Sequence, residues 1–471
     1  MDVVKQIAQA IGADRVLTGP EAAPYGTDWT GAYTCTPMAV LRPTNTAEVA
    51  QILQIAHATG TPVVPASGRT GLTGATLAQD ALLLSVERLN TISDINVQAR
   101  TATVGAGVIL SNLHDAAEAH DLIFPLTLGA RGSAMIGGLL STNAGGSNVV
   151  RYGSTRGLCL GLEIVMADGR IMNLMNALHK DNSGFDLRSL IIGAEGTLGV
   201  ITAAVVKLCP KPQAYATAMV AVPSLPVALD LLHQLQLETG GGVEAFEYMP
   251  RSYIDHHRKL FPDVSAPFER DYDINIMIEV AATRPEDAQI DDDGSLPLTT
   301  RLKNILGQML EDGTVLDAVI AQNDTQRREI WKRREDAGEV AFFGGIFVNT
   351  DISLPLDQIA MFETMLTPRI KAIDPDAHEV IVAHLGDGNI HHTSYISRNE
   401  PDVMDAMVEA VEDVVAELGG SFSAEHGIGV SKLETMKRRK DPVALDAMRA
   451  IKAALDPKGI LNPGKVIPAA D

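Results

Sequence analysis

Cysteine is scarce in this chain. The 471 residues include three cysteines, Cys35, Cys159 and Cys209, which lie far apart. This spacing offers no CxxC pair, no iron–sulfur motif and no disulfide framework. Such sparse use of cysteine is typical of proteins from a reducing compartment, and we expect a cytoplasmic location.

Basic residues and long apolar runs are also scarce. Lysine and arginine number 38 against 59 acidic residues, which gives a net charge of −21. Nucleic acids and anionic membranes need clustered basic side chains, so both are disfavoured as partners. No run approaches the ~20 apolar residues that cross a bilayer. The first residues show no basic segment followed by an apolar core. We therefore expect neither a transmembrane segment nor a signal peptide.

Two common nucleotide-binding signatures are incomplete. Gly105-Ala-Gly107 begins like a Rossmann fingerprint but has no third glycine, and Gly68–Gly74 lacks the Gly-Lys-Ser/Thr of a Walker loop. The chain has instead two stretches rich in glycine and hydroxyl groups, at 66–75 and 125–157. Glycines let the backbone approach a phosphate closely. Two such stretches in one domain favour a dinucleotide with a buried ring system over a set of tight turns.

Two histidines flank a turn further along the chain. Glu379–His384 is rich in β-branched residues and predicts a strand, and 391–396 is its candidate partner. Asp387-Gly388 is a strong signal for a two-residue hairpin loop, which would pair His384 directly with His391. Their Cβ atoms would then lie ~4.5–5.5 Å apart, which lets two imidazoles share one metal. His392 should point to the other face.

Glu425 and His426 complete a metal-site inventory. The apolar spacing of 404–418 predicts a helix, after which Ser421–Ser423 would return the chain to the hairpin. Two imidazoles and one carboxylate leave a coordination position open, as in catalytic zinc sites, beside an acid or base. Taken alone, the pair is better explained as a carboxylate at a helix N-terminus beside a surface histidine.

In their order along the chain, these motifs resemble a known family. It is the FAD-dependent D-2-hydroxyacid dehydrogenases of the vanillyl-alcohol-oxidase type flavoprotein superfamily, with D-lactate, glycolate and D-2-hydroxyglutarate dehydrogenases among its members. The resemblance spans roughly residues 35–466. It rests on Pro65–Gly74, Ile136–Gly138, Thr142–Gly146, Arg151–Gly153, Gly193–Gly199, Trp331–Glu335, His384–His391, Ala424–Gly427 and Asn462-Pro463.

The resemblance implies an α+β fold. An N-terminal helical segment at 1–34 would precede a PCMH-type FAD-binding domain of two α+β subdomains at 35–212. A ferredoxin-like substrate domain would occupy 213–420. A helical C-terminal segment at 421–471 would return to the flavin.

The resemblance also implies FAD as the cofactor. Some relatives bind flavin covalently through histidine or cysteine, but the corresponding loops here contain neither, so we expect non-covalent FAD. Loop 66–71 would hold the pyrophosphate. The implied cofactor-binding residues are Pro65, Ser67, Gly68, Arg69, Thr70, Gly71, Leu72, Pro125, Thr127, Gly137, Gly138, Ser141, Asn143, Gly146, Gly196, Ile201 and Asn462.

For the catalytic centre, the resemblance implies that His384, His391 and Glu425 bind a divalent ion, with zinc the expected metal. His426 would be the catalytic base and would face the substrate. Arg334 would bind the substrate carboxylate. Without the resemblance, an exposed helical charge is an equal interpretation of this arginine.

The implied reaction oxidises a small D-2-hydroxy acid to the 2-keto acid. A hydride would pass to the flavin. The electrons would then pass to an external acceptor, for which an electron-transfer flavoprotein, a cytochrome and a quinone are candidates. A homodimer is a candidate assembly.

Three substrate-facing positions depart from the family pattern. Relatives acting on five-carbon diacids carry threonine four residues after the arginine, lysine fifteen after it, and asparagine two after the second metal histidine. This chain has Gly338, Asn349 and Thr393 there, with Phe342 and Phe343 nearby. We therefore expect a substrate whose side chain is shorter or less polar than that of 2-hydroxyglutarate.

Two other functions are open at this level. A flavin oxidase would use O₂ on an alcohol and release peroxide at the rate of turnover. A non-catalytic electron-transfer subunit would bind FAD without reacting with any 2-hydroxy acid. The complete set of His384, His391, Glu425 and His426 favours an enzyme.

Overall fold

A computed structural model of the chain describes residues 2–290, 294–342 and 344–469. Phe343, named above beside the substrate, lies outside these ranges. The chain divides into two compact units. The first unit comprises the chain up to Gly145, Gly153–Pro210 and the chain from His426 onward, and the second comprises Gly146–Tyr152 and Lys211–Glu425.

The helices of the described residues are short to medium in length. None of them is long and apolar enough to cross a membrane. In chain order they are α1 (Val3–Ile11), α2 (Thr46–Thr59), α3 (Leu110–Glu118), α4 (Ile136–Thr142), α5 (Val149–Tyr152), α6 (Thr155–Leu158), α7 (Leu187–Ile191), α8 (Leu225–Glu238), α9 (Arg251–Leu260), α10 (Pro297–Glu311), α11 (Asp324–Glu335), α12 (Ala337–Phe342), α13 (Ile359–Ile373), α14 (Pro401–Glu417), α15 (Leu433–Arg439) and α16 (Pro442–Leu455).

The strands alternate with these helices in both units. In chain order they are β1 (Val16–Leu17), β2 (Ala39–Leu41), β3 (Val63–Ala66), β4 (Leu82–Ser85), β5 (Ile92–Asn96), β6 (Thr101–Gly105), β7 (Leu122–Ile123), β8 (Cys159–Val165), β9 (Ile171–Leu174), β10 (Val200–Lys207), β11 (Cys209–Pro210), β12 (Ala214–Ala221), β13 (Val243–Pro250), β14 (Ile274–Ala282), β15 (Asp317–Ile320), β16 (Ile346–Ser353), β17 (His378–His384) and β18 (Asn389–Ile396).

The first unit has two main sheets within the described residues. One has the order β1-β2-β4-β3, with β2, β4 and β3 parallel, and the other is antiparallel in the order β5-β6-β10-β8-β9. Asn45 caps α2 by accepting from the Glu48 N–H, and Gly60 ends this helix at a φ of 68°; asparagine and glycine are preferred at these two positions. Two separate α+β sheet systems are what the expected fold requires.

The C-terminal segment completes the first of these sheets. Leu461 pairs in parallel with Val63 of β3. The Val63 N–H donates to Ile460 O at 2.8 Å, and the Asn462 N–H donates to Val63 O at 2.8 Å. The last residues of the chain therefore extend a sheet whose other strands lie near its beginning.

The second unit is built on one antiparallel sheet. Among the described residues its strand order is β15-β12-β14-β13-β17-β18-β16. Helices α8, α10, α13 and α14 pack against one face through a large apolar cluster. Helices α9, α11 and α12 cover part of the other face through a smaller cluster that includes Met249, Val382 and Tyr395. The α+β fold class is confirmed.

The hairpin of β17 and β18 differs from the predicted register. His384 pairs with Asn389, and His391 pairs with Val382, so the loop has four residues rather than two. A two-residue loop needs positive φ at both of its central positions, and here Gly388 has a φ of 86° while Asp387 is not in that region. The predicted direct pairing of the two histidines is therefore wrong. The shift is two residues, however, so both side chains still point to one face.

The leucines of α8 give a test of the core. Leu235 is fully buried while Leu237 is 80% exposed. We expect Leu235→Ala to lower the free energy of unfolding by about 2–5 kcal/mol. Leu237→Ala should change it by less than about 0.5 kcal/mol. Both substitutions have the same effect on helix propensity, so equal losses in denaturant unfolding would contradict this packing.

Candidate active site

Three side chains of the second unit converge on one point. Ligand atoms of His384, His391 and Glu425 all lie within 4.8 Å of one another. His384 is the last residue of β17 and His391 lies in β18, and their ring centroids are 5.4 Å apart. The structure thus brings together the three residues expected to bind a metal.

Glu425 reaches this point through a short return segment. After α14, Ser421 forms a bridge with Ser353 at the end of β16. Two hydrogen bonds then hold the chain, because the Ala424 N–H donates to Asp351 O at 3.3 Å and the Glu425 N–H donates to Asp351 Oδ2 at 2.9 Å. Glu425 begins no helix, so its interpretation as a helix N-terminal carboxylate is wrong.

A second glutamate orients the ring of His384. Glu247 lies opposite His384 across β13 and β17 and is 0% exposed. Its Oε1 lies 2.8 Å from His384 Nδ1. A carboxylate only accepts, so Nδ1 carries the proton and the Nε2 of the neutral ring carries a lone pair. Nε2 is therefore the atom that His384 offers to a metal.

Arg334 of α11 lies against the same pair. Its Nε–H donates to Glu247 Oε2 at 2.5 Å, and its side chain is 11% exposed. Its Nη2 is 3.0 Å from His384 Nε2 and 3.4 Å from Nδ1. Distances so similar place Nη2 over the face of the imidazole, because a group in the ring plane beyond Nε2 would be much further from Nδ1. The interpretation of Arg334 as an exposed helical charge is wrong.

The three charged groups alter one another's proton affinity. Burial alone would raise the pKa of Glu247, but the charges of His384 and Arg334 hold it below its ordinary value. Burial would lower the pKa of His384, and Glu247 raises it above the ordinary value. A more basic imidazole is a stronger donor to a metal, which is the usual effect of a carboxylate behind a ligating histidine.

Asp351 has the corresponding position behind His391. Its Oδ1 is 3.5 Å from His391 Nδ1, and the residue is 1% exposed. The Asn389 side chain also donates to Oδ1, at 2.9 Å. Because Asp351 contacts both His391 and the Glu425 backbone, it helps to fix the positions of these two candidate ligands relative to each other.

Glu425 has a carboxylate suited to a cation. Burial raises its pKa to about 7; the charge of His384 opposes this shift, and Asp351 and Asp387 add to it. A bound cation would favour the ionised form that this surrounding disfavours. Zinc bonds to imidazole and carboxylate are ~2.0–2.2 Å long, and three donor atoms within 4.8 Å of one another are near enough to hold one such ion. Two imidazoles and a carboxylate fit a divalent transition metal such as zinc.

His392 points to the opposite face of the sheet, as predicted. It is 0% exposed, and its Nε2 lies 3.0 Å from Glu379 Oε1. Its ring packs edge-on against Phe362 of α13. His392 therefore belongs to the apolar core beneath the sheet.

The two other substrate-facing candidates lie beside His391. Asn349 and Thr393 are direct partners in β16 and β18, on the same face as the candidate ligands. The Asn349 amide donates to Thr393 Oγ1 at 2.8 Å. Gly338 lies in α12, and a Cβ added there would meet no atom within 4 Å. All three are uncharged, and the amide of Asn349 is already hydrogen-bonded.

In the first unit, the two glycine-rich stretches touch each other. The Gly138 N–H donates to Ser67 Oγ at 3.1 Å. A Cβ at Gly68 would lie 2.3 Å from the backbone oxygen of Ser133, and one at Gly137 would lie 2.7 Å from Ala106 Cβ. These positions tolerate no side chain, as is usual where the backbone closes around a cofactor.

A buried polar group in this unit also fits a cofactor. Asn462 Nδ2 donates to Glu195 O at 2.7 Å and to Ala75 O at 3.2 Å. Its Oδ1 is buried and, among the residues that the structure describes, has no hydrogen-bond partner. A buried acceptor of this kind needs a donor, which a bound FAD would supply.

Glu195 ties the C-terminal segment to this region. Its carboxylate accepts from the Ile428 N–H at 2.7 Å and from the Gly429 N–H at 2.9 Å. Burial raises the pKa of Glu195, and the two backbone bonds oppose the rise. The Glu195 N–H donates to Ser141 O at 2.9 Å. Glu195 thus joins two stretches that the resemblance assigned to the flavin.

The remaining flavin candidates are spread over the first unit. Arg69 has a φ of 53° and donates to Pro24 O at 2.7 Å, while Asn143 Oδ1 accepts from the Arg156 N–H at 2.9 Å. Gly196 packs on Pro65, and Ile201 is buried in β10. Ser141 lies in α4, and loops contain Thr70, Gly71, Leu72, Pro125 and Thr127. Gly146 belongs to the segment Gly146–Tyr152, which is part of the second unit. His426 is the first residue of the C-terminal segment that belongs to the first unit.

Sequence reasoning missed Glu247, Asp351 and Glu195. Glu247 lies in Val243–Pro250, a strand that is buried at every position and also contains Glu244, so the spacing of its acidic residues gives no periodic signal. Asp351 is hidden in the same way in β16. A positive φ of 49° at Glu195 was equally invisible. Each residue acts on a neighbour far away in sequence, so even the motif Gly193–Gly199, which contains Glu195, does not indicate what its carboxylate binds.

Comparison with known proteins agrees with this geometry. Residues 211–466 match the family described as FAD linked oxidases, C-terminal domain, and residues 37–175 match the FAD binding domain family. The chain is 36% identical to bovine (Bos taurus) D-2-hydroxyglutarate dehydrogenase, mitochondrial, covering 96% of this chain and 81% of that protein. It is 34% identical to D-2-hydroxyglutarate dehydrogenase of Xanthomonas citri pv. viticola, covering 99% and 97%.

Solved structures show the same fold at low sequence identity. p-Cresol methylhydroxylase with substrate bound superposes with a TM-score of 0.72 at 16% identity, covering 99% of this chain and 96% of that one. An alkyldihydroxyacetonephosphate synthase superposes with a TM-score of 0.71 at 15% identity, covering 98% and 84%. The PCMH-type fold is thereby confirmed.

The chain belongs to the family of FAD-linked oxidases, whose FAD-binding and C-terminal domains it contains in order. Within this family it is an FAD-dependent oxidoreductase of the D-2-hydroxyacid dehydrogenase group, as its motifs predicted.

Adjacent histidines on opposite faces give a test of the candidate metal site. We expect His391→Ala to lose retained Zn²⁺, because it removes one of three converging donors. His392→Ala should keep Zn²⁺ but lower the melting temperature, because it leaves Glu379 without its buried partner. The measurement is zinc content after saturation and desalting, with a thermal melt of each variant. Equal zinc retention by the two variants would argue against this site.

Proposed function

We propose that this chain is an FAD- and divalent-metal-dependent dehydrogenase that oxidises a D-2-hydroxy acid to the corresponding 2-keto acid. The observation that carries the proposal is the convergence of His384, His391 and Glu425 beside the buried Arg334. This arrangement offers a cation site and a guanidinium to one small anion. Relatives whose names state a D-2-hydroxy acid as substrate cover nearly the whole chain.

The roles of the side chains follow from their chemistry. Arg334 binds the substrate carboxylate, since a guanidinium is the preferred partner of a planar carboxylate. His426, the residue after Glu425, takes the hydroxyl proton as general base. The substrate loses that proton and a hydride from its α-carbon, which together convert the alcohol to a ketone.

Two bound groups supply the remaining chemistry. His384, His391 and Glu425 would hold a divalent ion, which would supply a Lewis acid for the substrate hydroxyl. The glycine-rich stretches of the first unit would hold FAD, which would supply the hydride acceptor. The electrons would then pass to an external acceptor, such as an electron-transfer flavoprotein, a cytochrome or a quinone.

The substrate side chain is short or apolar in this proposal. A second carboxylate would need a cation, and Gly338, Asn349 and Thr393 provide none. The Asn349 amide already donates to Thr393. Phe347 and Tyr395 pair in the next row of β16 and β18, which adds aromatic surface along this face.

Flavin reduction tests the reaction and the metal together. We expect an anaerobic D-2-hydroxy acid to bleach the flavin absorbance, and we expect its L-enantiomer to leave the spectrum unchanged. Treatment with a chelator should slow bleaching, and added Zn²⁺ should restore it, because a bound divalent ion would make the substrate hydroxyl more acidic and so easier for His426 to deprotonate. Reduction unaffected by chelator would refute the metal part. Peroxide formed at the rate of turnover in air would identify an oxidase instead.

Substrate ranking tests the proposed pocket. We expect the highest kcat/KM on a D-2-hydroxy acid with a short or apolar side chain, because Gly338, Asn349 and Thr393 carry no positive charge for a second carboxylate. The panel should include D-lactate, D-2-hydroxybutyrate and D-2-hydroxyglutarate, assayed with an artificial electron acceptor. A highest kcat/KM on D-2-hydroxyglutarate would overturn the preference while leaving the reaction itself in place.

A further inference from the structure

Glu247 uses its two oxygens for two different functional residues. Oε1 accepts from His384 Nδ1 at 2.8 Å, and Oε2 accepts from Arg334 Nε at 2.5 Å. The side chain is 0% exposed, so water does not compete for either oxygen. His384 and Arg334 come from β17 and α11, which are far apart in the chain. Glu247 hydrogen-bonds to both of them, and Arg334 Nη2 also lies directly against the His384 ring, 3.0 Å from Nε2.

We propose that Glu247 is a positioning residue that couples the metal ligand His384 to the substrate-binding Arg334. It holds the proton of His384 on Nδ1, so that Nε2 faces the ion, and it holds the guanidinium beside that ligand. The inference rests on the proposed function of both residues. It adds that one buried carboxylate sets metal affinity and substrate binding together.

The two contacts require two acceptors. A carboxylate has acceptor oxygens at both ends, whereas the glutamine amide has one oxygen and one NH₂ group. In Glu247→Gln the NH₂ group must face either Arg334 Nε–H or His384 Nδ1–H. The first orientation releases the arginine. The second drives the ring proton to Nε2 and removes the lone pair that a metal needs.

A purely structural role makes a different prediction. If Glu247 only neutralised Arg334 in the interior, its loss would lower stability and leave the metal affinity of a folded protein unchanged. Glu279 provides the matched comparison in the same sheet. It is 3% exposed and accepts from Arg327 Nε and Nη2, each at 2.7 Å, and among the residues that the structure describes it contacts no candidate metal ligand. Glu279→Gln therefore disrupts an arginine pair with a buried carboxylate without removing a contact of the metal site.

The test measures Zn²⁺ affinity on full-length, flavin-loaded protein freed of metal by dialysis against chelator. Zn²⁺ alone is titrated in competition with a chromophoric chelator. We expect Glu247→Gln to weaken Zn²⁺ binding by about 10–100-fold, the usual effect of removing the carboxylate behind a ligating histidine. It should also raise KM for the hydroxy acid. Glu279→Gln should stay within about threefold of wild type in Zn²⁺ affinity, since no ligand loses its partner.

A second variant covers the case in which Glu247→Gln does not fold. Glu247→Asp keeps the buried negative charge beside Arg334 but is one methylene too short to hold both partners. We expect it to retain flavin and to bind Zn²⁺ at least about fivefold more weakly than wild type. Wild-type affinity in either folded variant would overturn the inference and leave the proposed function standing. A wild-type protein that binds no Zn²⁺ would overturn both.

Discussion

Side chains of a β-strand alternate between two faces, and this constraint assembles the candidate active site. On β13, β17, β18 and β16, one set of alternate residues enters the large apolar cluster under α13 and α14. The other set includes Glu247, His384, His391, Thr393 and Asn349. Charged groups can share this face because they compensate one another, and the apolar face supplies the burial that stabilises the sheet. The candidate active site therefore lies on one face of a sheet whose opposite face is packed against the apolar core.

The constraint also explains which parts of the site the sequence predicts. His384 and His391 were expected on one face, and they lie there although the register is shifted, because a two-residue shift preserves the alternation. The loop itself was mistaken, since Asp387-Gly388 suggested a tighter turn than the chain adopts. Periodicity thus predicts the face of a side chain better than it predicts its partner.

Glu247, Asp351 and Glu195 show where sequence reasoning ends. Each is a buried carboxylate that acts on groups distant in the chain: Glu247 on Arg334, Asp351 on Glu425, and Glu195 on Gly429. A lone acidic residue within an apolar strand has the same appearance whether it is exposed, paired or catalytic. The overall fold was more accessible, because glycine-rich motifs, helix caps and strand patterns are local, and their order is specific to one family.

The exposed edge of a sheet is a site of aggregation, and the first unit covers one such edge with a distant segment. Strand β3 lies at the edge of its four-stranded sheet, and residues from 460 to 462 cover that edge. An uncovered edge strand is open to pairing with other chains. Local detachment of residues 460–462 would therefore expose β3 while the rest of the sheet stays folded, and molecules in that state would be able to pair with one another through this strand.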